Sequence, residues 1–231
     1  MTDINQIKVA VVDYSLGNLF SVKQACARVG MEAEITSDPM KILAADAVFL
    51  PGVGAFGDAM HNLTRLGLVQ PLKEVAEKGT PLIGICLGLQ LLMNESCEFG
   101  QHRGLSLIPG EVVRFNSPKG ARGSLKIPLV GWSRIQRPVS GTDHWKNTPL
   151  EDLSDGEYMY FVHSYYVKPS DSAVTLSLSS YGNITFCSGI HKNYIFGFQF
   201  HPEKSGPAGI SIYHNLAKII ADVKRSKAAN D

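Results

Sequence analysis

Cys86 stands between two glycines in the run Gly84-Ile85-Cys86-Leu87-Gly88, and a thiol in that setting is equipped for nucleophilic chemistry. The residues before it, Thr80-Pro81-Leu82-Ile83, read as a short buried strand. The residues after it, Leu87-Gly88-Leu89-Gln90-Leu91-Leu92-Met93, open a helix. Strand, thiol and helix in that order make a nucleophile elbow, in which flanking glycines permit a sharp turn that lifts the central side chain above the sheet. Sulfur there lies near a helix N-terminus, whose partial positive charge favours an anion. A small buried cysteine at a tight strand–helix junction fits the same residues, so the motif alone leaves both readings open.

A second segment, Phe196-Gly197-Phe198-Gln199-Phe200-His201-Pro202-Glu203-Lys204-Ser205, starts as an apolar strand and ends with His201 and Glu203 two residues apart. Cysteine catalysis needs a base for the thiol proton and an acceptor that orients the base. A backbone turn at Pro202 lets the Glu203 carboxylate reach back to one ring nitrogen, leaving the other for sulfur. Cys86, His201 and Glu203 therefore carry the parts of a triad, and only the fold can bring them together.

Three further segments stand at fitting spacing: Asp13-Tyr14-Ser15-Leu16-Gly17-Asn18, Leu50-Pro51-Gly52-Val53-Gly54-Ala55-Phe56 and Tyr160-Phe161-Val162-His163-Ser164-Tyr165. With the two above, they make the chain resemble the class I glutamine amidotransferases of the triad type. It resembles most narrowly the glutaminase subunits of imidazole glycerol phosphate synthase, over nearly its whole length. The resemblance implies one α/β domain over residues 1–231, with a central mixed, mostly parallel sheet flanked by helices and an antiparallel extension in the C-terminal half. It implies hydrolysis of glutamine through a Cys86 γ-glutamyl thioester. His201 is then the base, Glu203 its orienting partner, and no metal or other cofactor takes part.

For the oxyanion, the N–H of Leu87 and one from Gly52 or Val53 are the candidates, and the glycines around Val53 allow a peptide flip. An ordinary strand-to-helix turn also fits residues 51–54. The resemblance implies that Gln90, one helical turn after Cys86, binds substrate, with Gly54, His163, Ser164 and Tyr165 lining the same pocket; a polar residue capping the elbow also fits Gln90. His163 is the one competing base. The resemblance further implies a separate TIM-barrel cyclase subunit in a heterodimer. It would receive ammonia and form imidazole glycerol phosphate and an aminoimidazole carboxamide ribotide in histidine biosynthesis. Asn18, Trp132, Tyr160 and Lys192 are the candidate interface residues. Trp132 is read in a loop, where an exposed Trp is a common anchor and a core Trp is the alternative.

One departure bears on the acceptor. This chain has Pro128-Leu129-Val130-Gly131-Trp132-Ser133 where the histidine-pathway subunits usually carry Pro-His-Met-Gly-Trp-Asn, at positions expected to face the partner. That leaves open a paralogous subunit feeding a similar barrel that amidates a nucleotide-linked sugar for surface polysaccharide. A non-catalytic regulatory module and a stand-alone hydrolase of γ-glutamyl compounds are the readings from other classes.

Composition narrows the field. A chain of 231 residues with net charge +1 and 19% charged residues has ample core for one domain and lacks the basic excess of a nucleic-acid binder. The run Lys224-Arg225-Ser226-Lys227 reads as a frayed helix end. No apolar run approaches the ~18 residues of a membrane span. The opening with Thr2, Asp3, Asn5 and Gln6 has no signal-peptide core. Cys26, Cys86, Cys97 and Cys187 show no metal-type pairing, and free thiols in a reducing cytoplasm are the expectation.

The elements that must position these groups follow from pattern. Residues 7–13 and 47–50 read as strands covered on both faces. Asn18 and Gly30 bracket a helix with Cys26 on its apolar stripe. Helices are expected over 56–66, 68–77 and 208–223, and the nucleophile strand over 80–85. Residues 110–115, 157–167, 173–178, 184–191 and 194–200 read as strands joined by turns. Residues 118–126 read as a mobile loop, Cys97 as a helix-end residue and Cys187 as a strand residue without catalytic weight.

Overall fold

The computed structural model describes residues 7–121, 123–138 and 144–229. The N-terminal segment with Thr2, Asp3, Asn5 and Gln6 lies outside the described residues, as does Arg122.

In chain order the first half alternates strand and helix. It comprises β1 (Lys8–Val12), α1 (Leu19–Arg28), β2 (Glu32–Thr36), α2 (Pro39–Ala44), β3 (Ala47–Gly52), α3 (Phe56–Arg65), α4 (Val69–Glu77), β4 (Leu82–Cys86) and α5 (Leu87–Leu91). Short strands β5 (Glu95–Ser96) and β6 (His102–Arg103) precede β7 (Gly110–Arg114), β8 (Lys119–Gly120), β9 (Gly123–Ser124) and β10 (Leu129–Arg134). Then come β11 (Tyr158–His163), β12 (Tyr165–Pro169), β13 (Thr175–Tyr181), β14 (Ile184–Lys192), β15 (Ile195–Phe198) and α6 (Gly206–Ala228).

The main sheet runs β2-β1-β3-β4-β15-β14-β12-β7-β5-β6, with β13 paired to β14. It is parallel from β2 to β15. From β15 onward it becomes an antiparallel extension, apart from one short parallel pair between β5 and β7. The α/β architecture with an antiparallel C-terminal extension is as the motifs implied. The central strands are buried on both faces, which explains their unbroken apolar runs. Period-two alternation splits them into two cores. Val9, Val11, Phe49, Ile83 and Ile85 pack with Tyr213 and Leu216 of α6. Val48, Leu50 and Leu82 pack with Leu63, Leu72 and Leu89 of α3, α4 and α5.

Several local expectations need correction. Asn18 precedes α1 but makes no side-chain cap bond, whereas Gly30 (φ +83°) does end it, with Met31 N–H donating to Cys26 C=O at 3.0 Å. The pair β2–α2 is an addition to the expected elements, although Asp38-Pro39 is a strong start signal. Asp38 caps Met40 N–H at 2.9 Å. Within residues 118–126, Lys119–Gly120 and Gly123–Ser124 form the β8–β9 ladder, tied to the hairpin beyond by Lys119 N–H donating to Asn183 Oδ1 at 2.8 Å. Cys97 follows β5 rather than a helix, and is exposed. The basic run near the C-terminus is not frayed: α6 continues through it. Lys224 Nζ meets Asp46 at 2.9 Å and Lys227 Nζ meets Thr80 Oγ1 at 2.9 Å.

Candidate active site

Cys86 ends β4 and is the residue before α5, with φ 54° and ψ −108°. The positive φ falls on the cysteine itself, not on its neighbours, so the strain of the elbow is carried by Cys86. The glycines serve a different purpose from the one their sequence position suggested. A Cβ on Gly88 would sit 1.6 Å from the Leu50 carbonyl oxygen, and one on Gly84 would sit 2.8 Å from the Gly88 oxygen. They let the first turn of α5 rest directly on the ends of β3 and β4.

The imidazole arrives from the next strand. β15 pairs with β4 in parallel, Phe198 opposite Ile85, which carries His201 past the sheet edge beside Cys86. A single 3₁₀ turn, Pro202–Lys204, then folds Glu203 back, and His201 Nδ1 lies 2.8 Å from Glu203 Oε1. Both side chains are almost wholly inaccessible. The loop is stitched to β11: His201 N–H donates to Tyr160 C=O at 2.9 Å, and Ser205 Oγ bridges, accepting from Tyr160 N–H at 3.0 Å and donating to His201 C=O at 2.7 Å. Burial works against a charged His201 ring. The Cys86 sulfur and the Glu203 carboxylate outweigh it and raise the ring to about 10. His201 Nε2 has no hydrogen-bond partner of its own, and is the nitrogen left for sulfur.

A cavity of about 260 Å³ opens over the sulfur, lined by Val53, Gly54, Cys86, Leu87, Gln90, His163, Ser164 and Tyr165 among others. Gly52 pairs with Cys86 across β3 and β4, packed beneath Tyr14, whose hydroxyl donates to Pro51 C=O at 2.8 Å. Burial is the larger cause that raises the Tyr14 hydroxyl, Cys86 the smaller, so that oxygen stays protonated as a donor. Gln90 Nε2 donates to Tyr165 C=O at 2.9 Å. His163 is no rival base. Burial lowers it to about 4, its Nδ1 is engaged by Tyr165 C=O at 2.9 Å, and Phe115, Phe161 and Phe186 surround its ring. As expected, Cys26 and Cys187 are buried in the two cores.

Glu98 and Gln199 are among the residues of the site that were not foreseen. Glu98 lines the cavity, and its Oε2 accepts Phe56 N–H at 2.7 Å. It lies in an aperiodic stretch with no sequence signal. Gln199 is fully buried and touches the sulfur, yet reads in sequence as an ordinary polar residue within an apolar strand.

Among the interface candidates, Asn18 follows the C-terminal end of β1, the sheet end that carries Cys86. Trp132 is 54% exposed and packs edge-on against Tyr160 at 6.0 Å. Trp132 is on β10, antiparallel to β11, not in a loop. Lys192 is a correction. It pairs with Ile195, which pairs with Leu82 at the start of β4, so it lies at the opposite end of the sheet from Cys86. Leu129 is a second correction. It is buried in the core beside Phe161, so the departure at that position is a packing change and not a change in an exposed face.

The family pattern for Glutamine amidotransferase class-I matches residues 10–219. The chain belongs to this family. Relatives carrying the name imidazole glycerol phosphate synthase subunit HisH include that of Geobacter metallireducens, 45% identical over 213 residues, which are 90% of this chain and 97% of the relative. Those of Syntrophotalea carbinolica (46%; 90% and 98%) and Carboxydothermus hydrogenoformans (47%; 91% and 98%) are as similar. Among solved structures, PurLQS from Thermotoga maritima superposes with a TM-score of 0.68 at 17% identity. That match covers 92% of this chain and 98% of the other. The glutaminase domain of CTPS from Trypanosoma brucei gives 0.64 at 15%, covering 94% of each chain. At those identities the structures speak for the fold. In this glutamine amidotransferase the elbow lies on the cavity wall, and the buried imidazole–carboxylate pair follows the strand next to it.

Proposed function

We propose that the chain, as one domain, is the glutaminase subunit of a cytoplasmic imidazole glycerol phosphate synthase. The observation that carries the chemistry is the buried His201–Glu203 pair at 2.8 Å, set on the strand beside a strained Cys86 above an open cavity. Glutamine enters with its side-chain amide at Cys86. Its α-ammonium pairs with the Glu98 oxygen not used by Phe56, while Gln90 and the backbone at Ser164 and Tyr165 hold the rest of the substrate. The Sγ proton passes to His201 Nε2 as sulfur bonds to the amide carbon. Glu203 holds the ring and stabilises its charge. The tetrahedral oxyanion is met by the Leu87 N–H, an orphan donor at the start of α5, and by a peptide of the Gly52–Val53 stretch. His201 then protonates the departing nitrogen, the C–N bond breaks, and ammonia leaves a γ-glutamyl thioester. Water, deprotonated by the same ring, releases glutamate and restores the thiol.

Ammonia released to solvent is lost, so the chain works with a TIM-barrel cyclase that accepts it. The sheet end bearing Asn18, Trp132, Tyr160 and the exposed Val53 is the face proposed for that contact. Kinship at 40–47% identity with the HisH subunits supports the histidine-pathway acceptor. The burial of Leu129 takes that departure off the exposed face, which leaves Ser133 as the departure that speaks for a sugar-modifying barrel. The test is reconstitution with the barrel subunit. Glutamine hydrolysis is expected to be slow alone and to rise sharply with barrel and acceptor. Cys86→Ala is expected to abolish glutamine-dependent synthesis and spare synthesis from ammonium. Retained glutamine-dependent synthesis in Cys86→Ala, or full turnover without a partner, overturns the reading.

A further inference from the structure

Gln199 sits two residues before His201, and its main chain is fixed by its N–H donating to Ser188 C=O at 2.9 Å. Its side chain is enclosed and makes two contacts: Nε2 lies 3.7 Å from Cys86 Sγ, and Oε1 accepts from Gln90 Nε2 at 3.2 Å. The same Gln90 nitrogen donates to Tyr165 C=O at 2.9 Å. A backbone carbonyl can only accept. Gln90 must therefore present its amino end there, Gln199 must present its oxygen to Gln90, and the amino end of Gln199 is left for sulfur. The direction of the whole chain is set by an atom that cannot flip.

We propose that Gln199 is a positioning residue for the nucleophile, donating an N–H to Cys86 Sγ, and that Gln90 couples this bond to occupation of the glutamine pocket. The proposal rests on Cys86 being the nucleophile. As the proton leaves for His201, sulfur gains negative charge and the N–H···S contact becomes charge-assisted. It is then a fixed dipole aimed at charge that develops in the reaction. Val162 C=O stands 3.8 Å from the sulfur, so donor and acceptor together fix where Sγ sits before attack. Gln90 lines the cavity, whereas Gln199 is not part of its wall. Substrate thus touches only the first amide, and the second carries the effect to sulfur.

The test is steady-state glutamine hydrolysis in the complex with the barrel subunit, for the native chain, Gln199→Met, Gln90→Met and the double variant. Methionine keeps the length and volume and removes the amide. Gln199→Met is expected to lower kcat about tenfold with KM within about twofold, because the lost contact is to sulfur and not to substrate. Gln90→Met is expected to lower kcat by a similar factor and also to raise KM. The double variant is expected to show the kcat of Gln199→Met alone, since both break one chain. An unchanged kcat in Gln199→Met, a loss confined to KM, or losses that multiply in the double variant overturns the proposal. If Gln199→Met does not fold, Gln90→Met decides, and a native kcat there overturns it. Cys86→Ala in the same assay separates the two ideas: glutamate release by that variant sinks the nucleophile reading itself.

Discussion

Cys86 ends one strand and His201 follows the strand beside it in the same sheet, yet they are held by different physics. The thiol is fixed by backbone: a positive φ on the cysteine, and α5 resting on the Leu50 carbonyl at a distance only glycine permits. The imidazole is fixed by hydrogen bonds, with Ser205 and Tyr160 tying down its main chain and Glu203 its ring. The first arrangement is intolerant of volume. The second is intolerant of lost polar partners.

Glu203→Gln is expected to have the largest effect on the base side, lowering kcat for glutamine hydrolysis about 10²–10³-fold with little change in fold. Its stability signature has a definite sign. The native ring titrates above its unfolded value of 6.5, so the contribution is fully present below 6.5 and is lost as pH rises through the folded value of about 10. The deficit of Glu203→Gln in thermal midpoint should therefore be greatest below pH 6.5 and shrink toward pH 10. A deficit that grows with pH contradicts the pairing.

Gly88→Ala probes the backbone side. A methyl 1.6 Å from a carbonyl oxygen forces α5 off β3, and destabilisation of about 3 kcal/mol or more is expected in a urea titration. A native midpoint would show that the elbow yields more readily than its packing implies. Trp132→Ala tests the exposed face. The unfolding midpoint should hold within about 0.5 kcal/mol, while affinity for the barrel subunit falls about tenfold by titration calorimetry. Ser205→Ala is the mildest. Losing a hydroxyl that serves both Tyr160 and His201 is expected to cost about 1–2 kcal/mol in the same urea titration and to lower kcat only a fewfold.

Legibility in the sequence followed the same divide. The elbow and the His-Pro-Glu turn are local: a few residues contain both the reactive group and the turn that presents it, so their types and spacing sufficed. Gly88 was visible but misread, because the obstacle it avoids is Leu50, remote in sequence. Residues 129–134 passed for a loop because Pro128 and Gly131 interrupt them. Their strand character comes from pairing with residues 158–163. Glu98 gave no sign, since what makes it part of a site is a hydrogen bond to Phe56 from the other side of α5.

Local order along the chain marked the candidate groups: a thiol at a strand–helix junction and an imidazole with a carboxylate two residues on. What brings them to the same end of the sheet is β15 pairing beside β4, an interaction between segments more than a hundred residues apart. The same pairing buried Gln199 against sulfur and left Lys192 at the far end. Covalent neighbours constrain conformation within a turn or two, whereas distant contacts are chosen by the packing of whole strands, so chemistry could be read from short runs and assembly only from the fold.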